Sequence, residues 1–287
     1  MRRLSSSTVK VESKPSLRAL IGGLRRVLRN WFWLGPLCFV VLPSRFPPRA
    51  GLLDRRIARK PVTLRLRSGI RFACTLGEFS GFLDAYVLRE YEIPGLNWLS
   101  VRTVVDAGAN VGAATLWLCE RAPHAQVFAL EPGRSAAEAC RRNVQRNGFS
   151  DRVTVLNVAL GDRPGTAFFH PGPASVNATV NPSPQGLDDY EVPVITLEQL
   201  MNDNELRSLD VLKLDCEGAE YDVLMNADTG LLHRIGAMVG EFHGFGGDEP
   251  PELGDRLRAA GFMSHFRPNA AEGIFTALRT DRLVGEP

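Results

Sequence analysis

The sequence predicts an α/β protein built on a doubly wound, mostly parallel sheet that ends in an antiparallel C-terminal edge hairpin. Three observations predict it. From Val101 onward, short β-branched and apolar runs alternate with helical stretches of about ten to fifteen residues, the pattern of strands joined by crossover helices. The helical stretches carry start and stop signals of their own. The last two strand-like runs follow each other closely enough to pair as a hairpin.

Taken in order, Leu64–Leu66 and Ile70–Thr75 flank Ser68-Gly69, a hairpin signal. Residues 82–92 (FLDAYVLREYE) place apolar side chains at helical spacing. Strands are expected at Val101–Asp106, Ala125–Glu131, Arg152–Leu160, Asp210–Asp215 and Gly236–Phe242. After Glu131, Ser135-Ala136-Ala137-Glu138 reads as a capping box, and Asn147-Gly148 stops that helix. A further helix starts at Thr196, with Gln199 three residues on. Pro250-Pro251 opens another, which turns Leu253 and Leu257 inward and ends at Gly261. Phe262–Phe266 and Ile274–Leu278 form the edge hairpin.

Charge divides the chain unevenly. Residues 1–60 hold fourteen of the 34 Lys/Arg and two of the 32 acids, leaving twenty cations against thirty acids in residues 61–287. A basic arm on an acidic body is an interaction tail, with anionic membrane, nucleic acid and plain solvation all open as its purpose. Within it, Trp31–Pro43 (WFWLGPLCFVVLP) is apolar for thirteen residues. About twenty are needed to span a bilayer, so the run reads first as packing against the body, then as interfacial contact, then as a signal segment. The domain organisation expected is a basic arm over 1–60, a hairpin and helix over 61–100, and a catalytic domain over 101–287. The five cysteines form no CxxC pair, which argues against a zinc site or a disulfide framework and fits a reducing compartment.

The first strand of the domain ends in VVDAGANVG. Gly108 and Gly112 let backbone approach a ligand closely, and the next helix opens there with free N–H groups. Asp106 stands where a dinucleotide fingerprint has its first glycine, a poor place for pyrophosphate. An acid with glycines suits a ligand bearing a cationic amine or sulfonium, and S-adenosylmethionine is such a ligand. Twenty-three residues after Gly108, the second strand ends in FALEP, where Glu131 can accept one ribose hydroxyl on each oxygen. The third ends in NVALGD, with Asn157 or the backbone near Ala159 placed to read the adenine.

On the reaction side the sequence DVLKLDCEGAE puts Lys213, Asp215 and, if the strand persists, Glu217 on one side. A buried ammonium needs a partner, and Asp215, Glu217 or Asp106 can serve. The next strand ends in GEFHGF, which brings His243 to the same edge. An alcohol is a poor nucleophile while protonated. His243 is the preferred base, Asp215 orients it or the hydroxyl, and Glu217 and Glu241 stand behind them. The same donors leave Mg²⁺ open, with no metal site the preferred reading.

In this order VVDAGANVG, FALEP, NVALGD, LKLDCEGAEYDVL and GEFHGF resemble the FkbM family of methyltransferases over roughly residues 100–280. The resemblance implies a class I, Rossmann-like fold, with S-adenosylmethionine held at Asp106, Gly108, Asn110 and Glu131. It also implies methylation of a hydroxyl on a sugar or polyketide-type small molecule. Nucleic acid is not the expected acceptor, since no aromatic-proline tetrapeptide follows the fourth strand. The alternatives are a non-catalytic module working through its basic arm and, behind it, an NAD-dependent oxidoreductase. Ala174–Gly186 and Phe245–Pro251 are the expected substrate loops. The cofactor's compartment makes a cytoplasmic protein the expectation, with peripheral membrane contact through the arm left open.

Overall fold

The computed structural model describes residues 59–171, 179–181, 183–216, 218–242, 252–268 and 273–282. The expected arm therefore lies almost wholly outside the described residues. So do Glu217, His243, the Phe245–Pro251 loop and Pro250-Pro251.

The strands in chain order are β1 (Pro61–Arg65), β2 (Arg71–Thr75), β3 (Thr103–Ala107), β4 (Gln126–Leu130), β5 (Val153–Leu156), β6 (Ala159–Leu160), β7 (Gly165–His170), β8 (Thr179–Asn181), β9 (Tyr190–Ile195), β10 (Leu209–Leu214), β11 (Ile235–Phe242), β12 (Phe262–Pro268) and β13 (Gly273–Arg279). Seven make the main sheet, in the order β12-β13-β11-β10-β3-β4-β5. The links β11-β10-β3-β4-β5 are parallel; β13 runs antiparallel to both β11 and β12. This is the expected doubly wound α/β sheet with its edge hairpin. Strand order reverses outward from β3 and β10, so ligand chemistry belongs at their carboxyl ends.

Alternation along the strands builds both faces of the core. Val105, Phe128, Leu212, Leu214 and Met238 pack on one side with Leu200, Leu224 and Leu257 from covering helices. Val104, Val127, Val211 and Val239 pack on the other with Trp117 and Leu118. Burying each such side chain contributes about 1.5–3 kcal/mol.

The hairpin before the domain is built onto it. Gly69, at φ +100°, makes the turn. Leu64, Leu66, Phe72 and Cys74 face inward. The helix Arg134–Arg146 then holds β2 by its backbone. Asn143 accepts from Ala73 N and donates to Ala73 O and Val111 O; Asn147 accepts from Arg71 N and donates to Arg71 O. The helical spacing over 82–92 becomes a short turn, Phe79–Phe82, continuing as a π-helix, Leu83–Leu88, that Arg89 ends at φ +55°.

Four expectations change. Ser135 is not a cap: Gly133 is the N-cap of Arg134–Arg146, because the Glu131 carboxylate already takes the Gly133 N–H and starts the helix early. Arg152–Leu160 is not one strand. The chain leaves the main sheet after Leu156, and β6 pairs in parallel with β9 in a second sheet of order β6-β9-β7-β8. That pairing spans more than thirty residues and has no local signature. The expected loop Ala174–Gly186 contains β8, which pairs with β7. The helix expected from Pro250-Pro251 runs Leu253–Ala259 behind Glu252, with Leu253 and Leu257 buried as predicted.

Candidate active site

β3, β4 and β10 deliver their last residues side by side. Lys213 and Asp106 are direct partners in the β3–β10 register, and Asp106 also faces Ala129 of β4. Gly108, at φ +75°, closes the gap: a Cβ there would overlap the backbone carbonyl of Asp215. Its freedom serves the close approach of two chain segments. Gly112, at φ +92°, leads into the helix Ala113–Arg121, and a Cβ there would crowd Cys140.

Lys213 is the centre of this edge. Its Nζ lies 3.1 Å from Asp106 Oδ1 and 3.4 Å from Asp215 Oδ2, and donates to the carbonyls of Gly108 at 2.8 Å and Ala107 at 3.2 Å. Burial alone would push this ammonium's pKa down. The adjoining carboxylates of Asp106 and Asp215 outweigh that and hold it above the usual lysine value. Lys213 thus bolts the glycine turn to the end of β10.

Asp106 has no exposed surface. Its Oδ1 faces Lys213 and its Oδ2 accepts the Thr115 hydroxyl at 2.6 Å. Within the protein its charge is balanced by Lys213. Asp215 differs. Its Oδ2 takes the Tyr91 hydroxyl at 2.9 Å and the Lys213 ion pair, its side chain is 20% exposed, and Oδ1 has no partner among the described residues. Tyr91 also lays its ring 5.2 Å from Lys213 Nζ. Burial first, then the charges of Asp215 and Glu241, raise its pKa well above the ordinary phenol value, so it remains a donor.

Glu131, next after β4, is buried and backbone-bound. Its Oε2 accepts from Asn110 N at 2.8 Å and its Oε1 from Gly133 N at 2.7 Å. Burial pushes its pKa up to about 7, against the pull of those N–H groups and of Lys213. Each oxygen keeps lone-pair capacity for a second donor. Beside it, Asn110 sits at φ +49°, and its buried Oδ1 has no hydrogen-bond partner among the described residues.

Asn157 spends both amide hydrogens on the carbonyls of Glu131 and Pro132, each at 2.8 Å. Ala159 is buried within the second sheet. Asn157 thus fixes the chain leaving β4. Glu220 is also structural: it accepts from Cys216 N at 2.6 Å and Gly218 N at 3.0 Å, tying down the loop that carries Asp215.

The structure thus joins Asp106, Gly108, Asn110, Gly112, Glu131 and Asp215 along one edge. Sequence reasoning missed Tyr91, Thr115 and the role of Glu220. Thr115 had a signal, a polar residue within the apolar run AATLWLC. Tyr91 had none, lying 124 positions from its partner. Among the described residues, no three of His, Cys, Asp and Glu gather as a metal-binding group.

The family described as Methyltransferase FkbM domain matches residues 106–264, more than half of the chain. The chain belongs to the FkbM methyltransferase family. The match opens at Asp106 and covers the glycine turn, Glu131 and the Lys213–Asp215 strand end, while Tyr91 comes from outside it. Relatives of this FkbM chain include the AMB antimetabolite synthetase AmbE of Pseudomonas aeruginosa, 26% identical over 66% of this chain and 11% of that protein. The 2-O-methyltransferase NoeI of Sinorhizobium fredii is 29% identical over 42% of this chain and 55% of its own length. The hexuronic acid methyltransferase AglP of Haloferax volcanii is 28% identical over 54% and 61%. This chain thus spans less than two thirds of each of these three relatives. Among solved structures, an O-methyltransferase family protein from Burkholderia thailandensis aligns at 12% identity over 93% of this chain and 72% of that one, with a TM-score of 0.40.

Proposed function

We propose that this FkbM protein transfers a methyl group from S-adenosylmethionine to a hydroxyl of a small, carbohydrate-type acceptor in the cytoplasm. The observation that carries this reading is the pair of carboxylates at one sheet edge. Glu131 is held by two backbone N–H groups, and the partly exposed Asp215 has one oxygen without a partner among the described residues. The cofactor suits these residues. Glu131 can take one ribose hydroxyl on each oxygen, and the buried Oδ1 of Asn110, without a partner among the described residues, can accept a further donor.

When bound, the sulfonium supplies an electrophilic methyl group for direct displacement by oxygen. Asp215 is proposed to accept the hydrogen bond of the acceptor hydroxyl through Oδ1, its other oxygen being fixed by Tyr91 and Lys213. His243, the residue after β11, is the proposed base that removes the proton, with Glu217 and Glu241 behind it. The names of NoeI and AglP support a sugar or uronic-acid hydroxyl as the target.

The test is calorimetric titration with S-adenosylhomocysteine of the parent and of Glu131→Ala, beside an NAD control. The expected result is binding by the parent, a loss of about 1–3 kcal/mol in the variant and no response to NAD. Labelled S-adenosylmethionine with a panel of hexoses and hexuronic acids then tests the acceptor. A folded parent that does not bind S-adenosylhomocysteine overturns the proposal and favours a non-catalytic module.

A further inference from the structure

The far end of β12 brings a cation to the same sheet edge as Asp215. Arg267 pairs with Ile274 of β13, and Ile274 pairs in turn with Glu241 of β11. Glu241 follows Gly240, the register partner of Leu214, so it stands abreast of Asp215. Directly opposed residues of neighbouring strands project from one face. Asp215, Glu241, Ile274 and Arg267 therefore form a row across the carboxyl edge, with carboxylates at one end and a guanidinium at the other.

Two consecutive residues tie the ends of this row together. The Tyr91 hydroxyl donates to Asp215 Oδ2 at 2.9 Å, and the Glu90 carbonyl accepts from Arg267 Nη2 at 3.3 Å. Three strand spacings separate Asp215 from Arg267, about 14 Å between backbones. The contacts through residues 90 and 91 bring the two side chains nearer than that. One sugar ring with a hydrogen bond of about 2.8 Å at each end fits a gap of this order.

The two cations of this edge are used differently. Lys213 is spent inside the protein on Asp106, Asp215 and two carbonyls. Arg267 is exposed and has no ion-pair partner among the described residues. Its contact with Glu90 uses one of five N–H donors and leaves a fork that matches a carboxylate. An anionic acceptor approaching Asp215 and Glu241 meets like charge, and Arg267 is the group in the row that offsets it.

We propose that Arg267 selects a carboxylated sugar, a hexuronic acid, as the methyl acceptor, holding its carboxylate while a ring hydroxyl meets Asp215. This rests on the proposed function and narrows its acceptor from sugars in general to acidic ones. A phosphorylated sugar is disfavoured, since a phosphate carries nearly two charges and Arg267 is the row's single cation.

Full-length protein saturated with S-adenosylhomocysteine is titrated with glucuronic acid, with its neutral amide and with glucose 6-phosphate, followed by ligand-observed NMR. The parent should bind glucuronate about 10- to 100-fold more tightly than the amide. Salt should shrink that preference, because Arg267 is exposed. Arg267→Gln can still donate to the Glu90 carbonyl but carries no charge, so the preference should vanish. Arg267→Lys should keep part of it, as a point charge without the fork.

The inference is overturned if the parent does not distinguish glucuronate from its amide, or if glucose 6-phosphate binds more tightly than glucuronate. It is also overturned if folded Arg267→Gln keeps the parent's preference, the result expected of a purely structural arginine. S-adenosylhomocysteine binding by the parent without any carboxylate preference sinks this inference alone. A parent that fails to bind S-adenosylhomocysteine sinks the proposed function beneath it.

Discussion

Lowering the pH from about 8 to about 6 should weaken S-adenosylhomocysteine binding roughly tenfold, and the reason lies in one side chain. Glu131 titrates at about 7 because burial outweighs the two N–H groups that bind its oxygens. Ribose hydroxyls donating to both oxygens favour the ionised form, so the ligand must displace any proton held there. One unit below its pKa about nine-tenths of the carboxyl groups are protonated, and one pKa unit corresponds to about 1.4 kcal/mol, or tenfold in affinity. Calorimetry in two buffers of different ionisation enthalpy should show nearly one proton released per ligand at about pH 6, about half at pH 7 and little at pH 8.

The stability of the ligand-free protein should follow the opposite trend. A carboxyl whose folded pKa is raised binds its proton more tightly folded than unfolded, so this contribution is fully present below about 4.5 and is lost as pH rises to about 7. The limit is on the order of 3 kcal/mol. Glu131→Gln should flatten both profiles, and should weaken binding because an amide has a single accepting oxygen. An affinity independent of pH between about 6 and 8 with no proton release, or the same pH profile in Glu131→Gln, would refute the reasoning.

Three further outcomes are expected. Lys213→Met leaves Asp106 charged without a counter-ion in a fully buried position and should cost about 3–5 kcal/mol in urea denaturation, most of it recovered by adding Asp106→Asn. Tyr91→Phe and Asp215→Ala should be non-additive in the same assay, with a coupling of at least about 0.5 kcal/mol, because each removes the same 2.9 Å hydrogen bond. Gly108→Ala should abolish folding or lower the melting temperature severely, since its Cβ would overlap the Asp215 carbonyl. By contrast, Gly148→Ala, at φ +70° in open space, should cost only about 1–2 kcal/mol.

The sequence by itself determined the fold class, the strand–helix alternation, the C-terminal hairpin and the order in which motifs reach the sheet edge. These rest on period-two and helical patterning and on turn chemistry, which act over a few residues and can be read locally. It also predicted that Lys213 needs acidic partners, because a buried ammonium demands them wherever it sits. The tertiary structure decided which acid does what. Asp106 and Asp215 look alike in sequence, yet one is sealed behind Thr115 and Lys213 while the other is partly exposed. It also decided that Asn157 supports the end of β4, that β6 leaves the main sheet for β9, and that Tyr91 reaches in from outside the family match. Each of these depends on contacts between distant residues, and the energy of such a contact is set by burial and partner geometry that come into being only when the chain has folded.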